Sequence, residues 1–233
     1  MTKCEFKLKR TIPISRIIWL VVLAVVVGFF TKIWLWENSY YSEKTGSERA
    51  VAVNTADNGE NTTVDETVPT EQEVAEYNVA PDRPRYLSIP SIGVSKARVL
   101  PMGLTSSGAL NTPVNIFDVG WYTGSDRPGY GGTAVIDGHN GGPNVVGVFK
   151  YLPDVKIGES VIIERGDGTV LEYRVVENKT VPLSEADIYM STSALTTPEA
   201  GRESITLITC TGTWIKKDQT YDARQFLRAV LVE

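Results

Sequence analysis

The sequence predicts an all-β head, a barrel or sandwich with short helical insertions, carried on an acidic tether behind an apolar N-terminal segment. Three observations lead there. Short β-type runs cut by turn residues recur from Pro81 onward. Helical periodicity in the same region is weak. The residues ahead of Pro81 have three other textures, basic, then apolar, then acidic. With 233 residues, 42% of them hydrophobic, the chain can bury one good core or two small ones. A formal net charge of -5 gives no reason to expect a nucleic-acid partner.

Residues 1–11 form a basic tail with Lys3, Lys7, Lys9 and Arg10 against Glu5. Residues 12–36 follow, with Ile17 to Phe30 free of charge and Lys32 placed beside Trp34 and Trp36. At about 1.5 Å per helical residue this segment is long enough to span a hydrocarbon core of about 30 Å. Lys32 can snorkel to the interface beside the two tryptophans. The basic side should stay in the cytoplasm, which makes the segment a single-pass signal anchor and puts the rest of the protein outside the cell. A cleaved signal peptide shares the charged start and the apolar run. It would need a small-x-small cleavage site, and bulky Trp34, Leu35 and Trp36 stand there instead.

Residues 37–80 are expected to be a flexible linker. Ten acidic residues from Glu37 to Glu76 face only Lys44 and Arg49, and few large apolar residues are available to offset the entropy of ordering. Residues 81–233 make the head, with strands expected at 86–89, 97–100, 133–136, 160–164, 170–176, 205–210 and 225–232. Gly166-Asp167-Gly168 is a hairpin signal between two of them, and short helices fit 148–152 and 185–190.

Candidate chemistry rests on scarce residues. The chain has two cysteines, Cys4 and Cys210, and one histidine, His139. Cys210 ends the run Thr206-Leu207-Ile208-Thr209, which alternates as a half-buried strand would, and Thr211-Gly212-Thr213 interrupts it. A lone cysteine is commonly a small buried apolar residue. Cys4 and Cys210 fall on opposite sides of the anchor, however, so a disulfide within the chain is excluded and Cys210 is a thiol in an oxidising compartment, where cysteine is usually bonded or absent. His139 lies in Asp137-Gly138-His139-Asn140-Gly141-Gly142, where flanking glycines permit positive φ and an open loop mouth. One thiol and one imidazole are the pair that thiol catalysis requires, and they are too few for a three- or four-ligand metal site. No cofactor is expected. An oxyanion would need a permanent donor. If the last two strands form a hairpin with 211–223 as its loop, Arg224 faces Cys210, whereas Arg228 lies about 13 Å further along.

The Thr206-Leu207-Ile208-Thr209-Cys210 signature, Gly138-His139 after a strand, and Arg224 opening the last strand resemble the sortase family, the membrane-anchored cysteine transpeptidases of Gram-positive bacteria. Gly120-Trp121-Tyr122 and Pro128-Gly129 extend the resemblance across the head. It implies an eight-stranded β-barrel and a two-step acyl transfer. Cys210 would attack the Thr-Gly carbonyl of an LPXTG-like sorting signal in a secreted protein. His139 would protonate the leaving amine, and Arg224 would hold the substrate backbone or oxyanion with help from Thr209. The acyl group would pass to an amine of the cell wall or of a pilin. The moderate length of Pro182 to Glu203 argues against the enlarged connection of the class that anchors haem-uptake proteins, and His139-Asn140-Gly141-Gly142 with the compact C-terminus is closer to the smaller classes lettered D to F. Some relatives bind calcium near this connection, but Glu185, Asp187 and Glu203 make no recognisable loop motif. Two other readings stay open: another cell-wall cysteine peptidase, and a non-enzymatic anchored barrel that binds a surface ligand.

Overall fold

The computed structural model describes residues 64–232. The expected tail, the anchor and the linker as far as residue 63 lie outside the described residues. Among the described residues no helix is long and apolar enough to cross a membrane.

Eight strands appear in chain order: β1 (Pro84–Ile89), β2 (Val94–Met102), β3 (Val119–Tyr122), β4 (Thr133–Gly138), β5 (Ser160–Arg165), β6 (Val170–Pro182), β7 (Ser204–Ile215) and β8 (Thr220–Leu231). Two short α-helices accompany them, α1 (Glu71–Glu76) ahead of β1 and α2 (Leu183–Tyr189) after β6. The strands close into a barrel in the order β1-β2-β3-β4-β7-β8-β6-β5. Antiparallel pairing of β5 with β1 seals it and leaves no free edge. All pairs are antiparallel except β2 with β3 and β4 with β7.

The seven strands expected from the sequence are all present, and β3 is the one it did not supply. β3 has four residues, begins Val119-Gly120 and is buried at every position, so it shows no alternation to detect. The Gly166-Asp167-Gly168 turn does join β5 to β6, with the Gly168 N–H donating to the Arg165 carbonyl at 3.0 Å.

The core has two parts. Leu87, Val99, Trp121, Ile136, Phe149, Tyr173, Ile205, Leu207 and Leu227 fill the barrel. Val135, Val181, Ala186, Met190, Ile208 and Phe226 form a second cluster in which α2 and the π-turn after it cover the outer face. The Thr206–Thr209 run is therefore buried on both faces, not on one as its alternation suggested. Each fully buried aliphatic or aromatic side chain contributes about 1.5–3 kcal/mol, so this double burial fixes the strand that carries Cys210.

Residues 64–80, expected as the end of the linker, are folded onto the barrel. Thr70 and Glu73 make a reciprocal capping box that starts α1. The Tyr77 hydroxyl donates to the Val99 carbonyl at 2.6 Å, and Arg85 caps the segment through the carbonyls of Ala75 and Tyr77. Capping and side-chain bonds to the barrel replace the apolar burial that these residues lack.

Candidate active site

β4 and β7 run side by side in parallel, with Asp137 paired to Ile208 at the last position of the ladder. Two residues further along each chain stand His139 and Cys210. Two side-chain bonds keep the chains together past the end of the ladder. The Thr209 hydroxyl donates to the Gly138 carbonyl at 2.8 Å, and the Asn140 amide donates to the Cys210 carbonyl. On the other side of β7, Cys210 pairs directly with Arg224 in the antiparallel β7/β8 ladder. The three residues singled out by scarcity and parity thus stand side by side along the backbone at one end of the barrel, His139 just past β4, Cys210 on β7 and Arg224 on β8.

Cys210 is a thiol of intermediate exposure on a strand whose preceding four residues are all buried. A nucleophile so placed is rigid yet reachable. The His139 Nε2 lies 2.7 Å from the Pro113 carbonyl oxygen. A carbonyl only accepts, so Nε2 carries a hydrogen and Nδ1 is the nitrogen that gains and loses a proton. Arg224 is 1% exposed. Its guanidinium donates to the carbonyls of Tyr221 and Ala223, both at 3.0 Å, and to the Thr220 hydroxyl at 2.9 Å. Arg228, by contrast, is tied away from this end, to Glu177 at 2.8 Å and the Thr196 carbonyl at 2.6 Å.

Three expectations about this end are corrected by the coordinates. Thr209 was expected to help with substrate or oxyanion; its hydroxyl is buried and gives its one hydrogen to Gly138, so that side chain cross-links two strands instead. The glycines around His139 do not adopt positive φ. They provide room instead: a Cβ on Gly138 would sit 2.7 Å from the Phe149 ring, and one on Gly147 would sit 2.4 Å from the His139 carbonyl oxygen. Residues 211–223 are not simply a loop. β7 runs on to Ile215 and pairs Trp214 with Tyr221 after a register shift at Gly212, whose φ of +91° allows the bulge that looked like a strand end.

Asn140 was missed as a site residue. Its only sequence signal is that it follows the lone histidine, whereas its bond to the Cys210 carbonyl requires the parallel β4/β7 register. Asp137 was also missed. It is 9% exposed, and burial pushes its carboxyl up to about 7 against the hydrogen bond from Thr112. Between pH 3.8 and about 7 the unfolded chain has released this proton while the folded chain holds it, so stability falls as pH rises through that window. Asp137→Asn should accordingly be more stable than the parent at pH 8, by on the order of 3 kcal/mol, and equal to it near pH 4. Urea denaturation at the two pH values measures the difference.

Among the described residues no three His, Cys, Asp or Glu side chains gather closely enough to hold a metal ion. Glu203, the residue before β7, accepts bonds from the Gly129 and Gly131 N–H groups, each at 2.7 Å, and from the Tyr173 hydroxyl.

The model of the Sortase domain family matches residues 87–232, which is most of the barrel and includes the whole site. The chain belongs to the sortase family. Among solved structures, this sortase is similar to sortase C1 of Streptococcus agalactiae, with 19% identity over 83% of this chain and 82% of that one and a TM-score of 0.50. It is also similar to sortase C1 of GBS pilus island 1, with 18% identity over 83% and 79% of the two chains and a TM-score of 0.50. Sortase C-1 of Actinomyces oris is 22% identical over 84% and 99%, with a TM-score of 0.49. At these identities the likeness concerns the sortase fold. A search of curated protein sequences returned no match.

Proposed function

We propose that this sortase is a cysteine transpeptidase that cleaves an LPXTG-like sorting signal and joins the new carboxyl end to an amine. The Cys210 sulfur attacks the threonine carbonyl carbon of the signal, forming a C–S bond. As the C–N bond to the following glycine breaks, the His139 imidazolium gives its proton to the departing amine. The remaining thioester is then attacked by an amine, either a cell-wall peptide or a pilin lysine, whose proton passes to the now neutral His139 as the sulfur leaves as thiolate. A thioester suits this task because it preserves the acyl group for an amine that competes with water.

The observation that carries the reading is that His139, just past β4, Cys210 on β7 and Arg224 on β8 stand at neighbouring backbone positions of adjoining elements. Arg224 is the residue opposite Cys210 in the β7/β8 ladder; in this reading its permanent cation favours the thiolate and steadies a substrate carbonyl as charge develops on its oxygen. The residues ahead of the barrel fit the role as a single-pass anchor over 12–36, with a cytoplasmic N-terminus and an extracellular head that meets secreted substrates.

Incubating the full-length chain in detergent with a library of LPXTG-like peptides and hydroxylamine tests the proposal. Trapping of the thioester should give a peptide hydroxamate cut after threonine. A chain that forms no hydroxamate with any member of the library would overturn the reading in favour of a non-enzymatic barrel.

A further inference from the structure

Two consecutive residues from the stretch expected to be tether grip both loops that flank His139. On the one side, Asp65 adds a parallel bridge to Asn115: its N–H donates to the Val114 carbonyl at 2.9 Å, and its carbonyl accepts from the Ile116 N–H at 3.0 Å. The Asn115 amide donates to the Asp65 carboxylate at 3.0 Å and to the Thr67 carbonyl at 2.8 Å. This loop also contains Pro113, the acceptor of the imidazole. On the other side, Glu66 takes the N–H groups of Asn144 and Val145 at 2.8 and 3.0 Å on one oxygen, and the Asn144 amide at 2.9 Å on the other. That second loop begins at Asn140, which holds the Cys210 carbonyl, and returns through Gly147 N–H to the Asn140 carbonyl at 2.8 Å and Phe149 N–H to the His139 carbonyl at 3.0 Å.

We infer that Glu66, with Asp65, is a positioning residue for the His139 imidazole, clamping the loop that accepts its Nε2–H against the loop that carries its backbone. The fit is close: a Cβ on Gly142 would lie 2.3 Å from the Glu66 carboxylate oxygen, so a side chain there would displace the carboxylate. The bonds from Asn144 and Val145 also hold the Glu66 carboxyl below its ordinary range, so the charged acceptor persists at the pH at which the enzyme works. A short hydrogen bond to a fixed carbonyl selects one tautomer of a neutral imidazole and sets its basicity. Releasing either loop shifts the ring against its acceptor and therefore changes the histidine itself, whereas ordinary loss of stability would not.

The inference gives a residue role to the proposed transpeptidase, yet it can be read without substrate because His139 is the only histidine in the chain. Nitrogen-15 spectra of the imidazole, recorded on the full-length, tag-free chain in detergent across pH 4 to 10, report its tautomer and its pKa directly. In Glu66→Ala the Nε2–H tautomer should lose its dominance and the pKa should move by about half a unit or more, with kcat/KM on a sorting peptide falling about tenfold, in the range seen when an outer partner of a working histidine is removed. Glu66→Gln keeps one acceptor for the two backbone N–H groups and should fall between the two. Gly142→Ala displaces the carboxylate from the opposite side, so it should reproduce the shift even if Glu66→Ala folds poorly. Glu66→Ala and Gly142→Ala chains that are folded and titrate His139 as the parent does would overturn the clamp. A parent chain that cleaves no sorting peptide would count against the transpeptidase reading instead, because the imidazole spectra do not depend on it.

Discussion

Cys210→Ala is expected to abolish hydroxamate formation and peptide cleavage, with a loss of about 10⁴-fold or more, because the acyl group then has no atom to bond to. The fold should survive. The change removes one sulfur from a position of intermediate exposure, and the strand on both sides is held by backbone pairing to β4 and β8 and by the buried Leu207 and Ile208. Changes of that size away from a packed core are usually within about 1 kcal/mol. Mass spectrometry of the parent after a brief exposure to peptide should show an adduct on Cys210, and the variant should show none. A variant that still cleaves would remove the nucleophile from the proposal and with it the transpeptidase mechanism.

His139→Ala should be the next most damaging change, with a loss of about 10²–10⁴-fold in kcat, the range for a displaced general acid. The chemistry makes a sharper prediction than the size. An amide nitrogen cannot leave without a proton, whereas an ester oxygen leaves with much less help. On a sorting peptide whose Thr-Gly amide is replaced by an ester, the His139→Ala variant should recover most of its loss, while Cys210→Ala should recover nothing. Parallel kcat measurements on the two substrates make the comparison. An equal defect on amide and ester would mean that His139 acts elsewhere, for instance by activating the thiol. The hydrogen bond from Nε2–H to the Pro113 carbonyl that substitution removes is worth about 1 kcal/mol, so unfolding should not confuse the result.

The packing around these residues explains why they hold still. Parallel strands are typically covered on both faces, and β7 follows that rule: the barrel interior packs one side, and α2 with its π-turn packs the other. Two side-chain bonds, Thr209 to Gly138 and Asn140 to Cys210, extend the β4/β7 alignment beyond its last backbone pair. The β7/β8 hairpin adds a third side, continuing through the Gly212 bulge to the Trp214–Tyr221 ring contact at 5.2 Å. The barrel thus delivers three polar groups, far apart in the chain, without relying on a long loop.

Much of this protein was legible in its sequence for a simple reason: scarcity and strand ends are local properties. One histidine and one cysteine in the head could be singled out by counting, Arg224 by its expected place opposite that cysteine, and seven strands by their β-branched runs and turn residues; the final strand itself starts four residues before Arg224, at Thr220. The eighth, β3, escaped because a short strand buried throughout has no alternation. The tertiary structure decided what depends on contacts between distant segments. Thr209 turns its hydroxyl to Gly138 because β4 lies alongside. Glycines near His139 yield space to Phe149 and to a passing backbone, which no single-residue preference reveals. Asp65 and Glu66 look like two more charges in an acidic tether, and they become a clamp because two loops, about 50 and 80 residues away in sequence, offer N–H groups that only a folded barrel brings within reach.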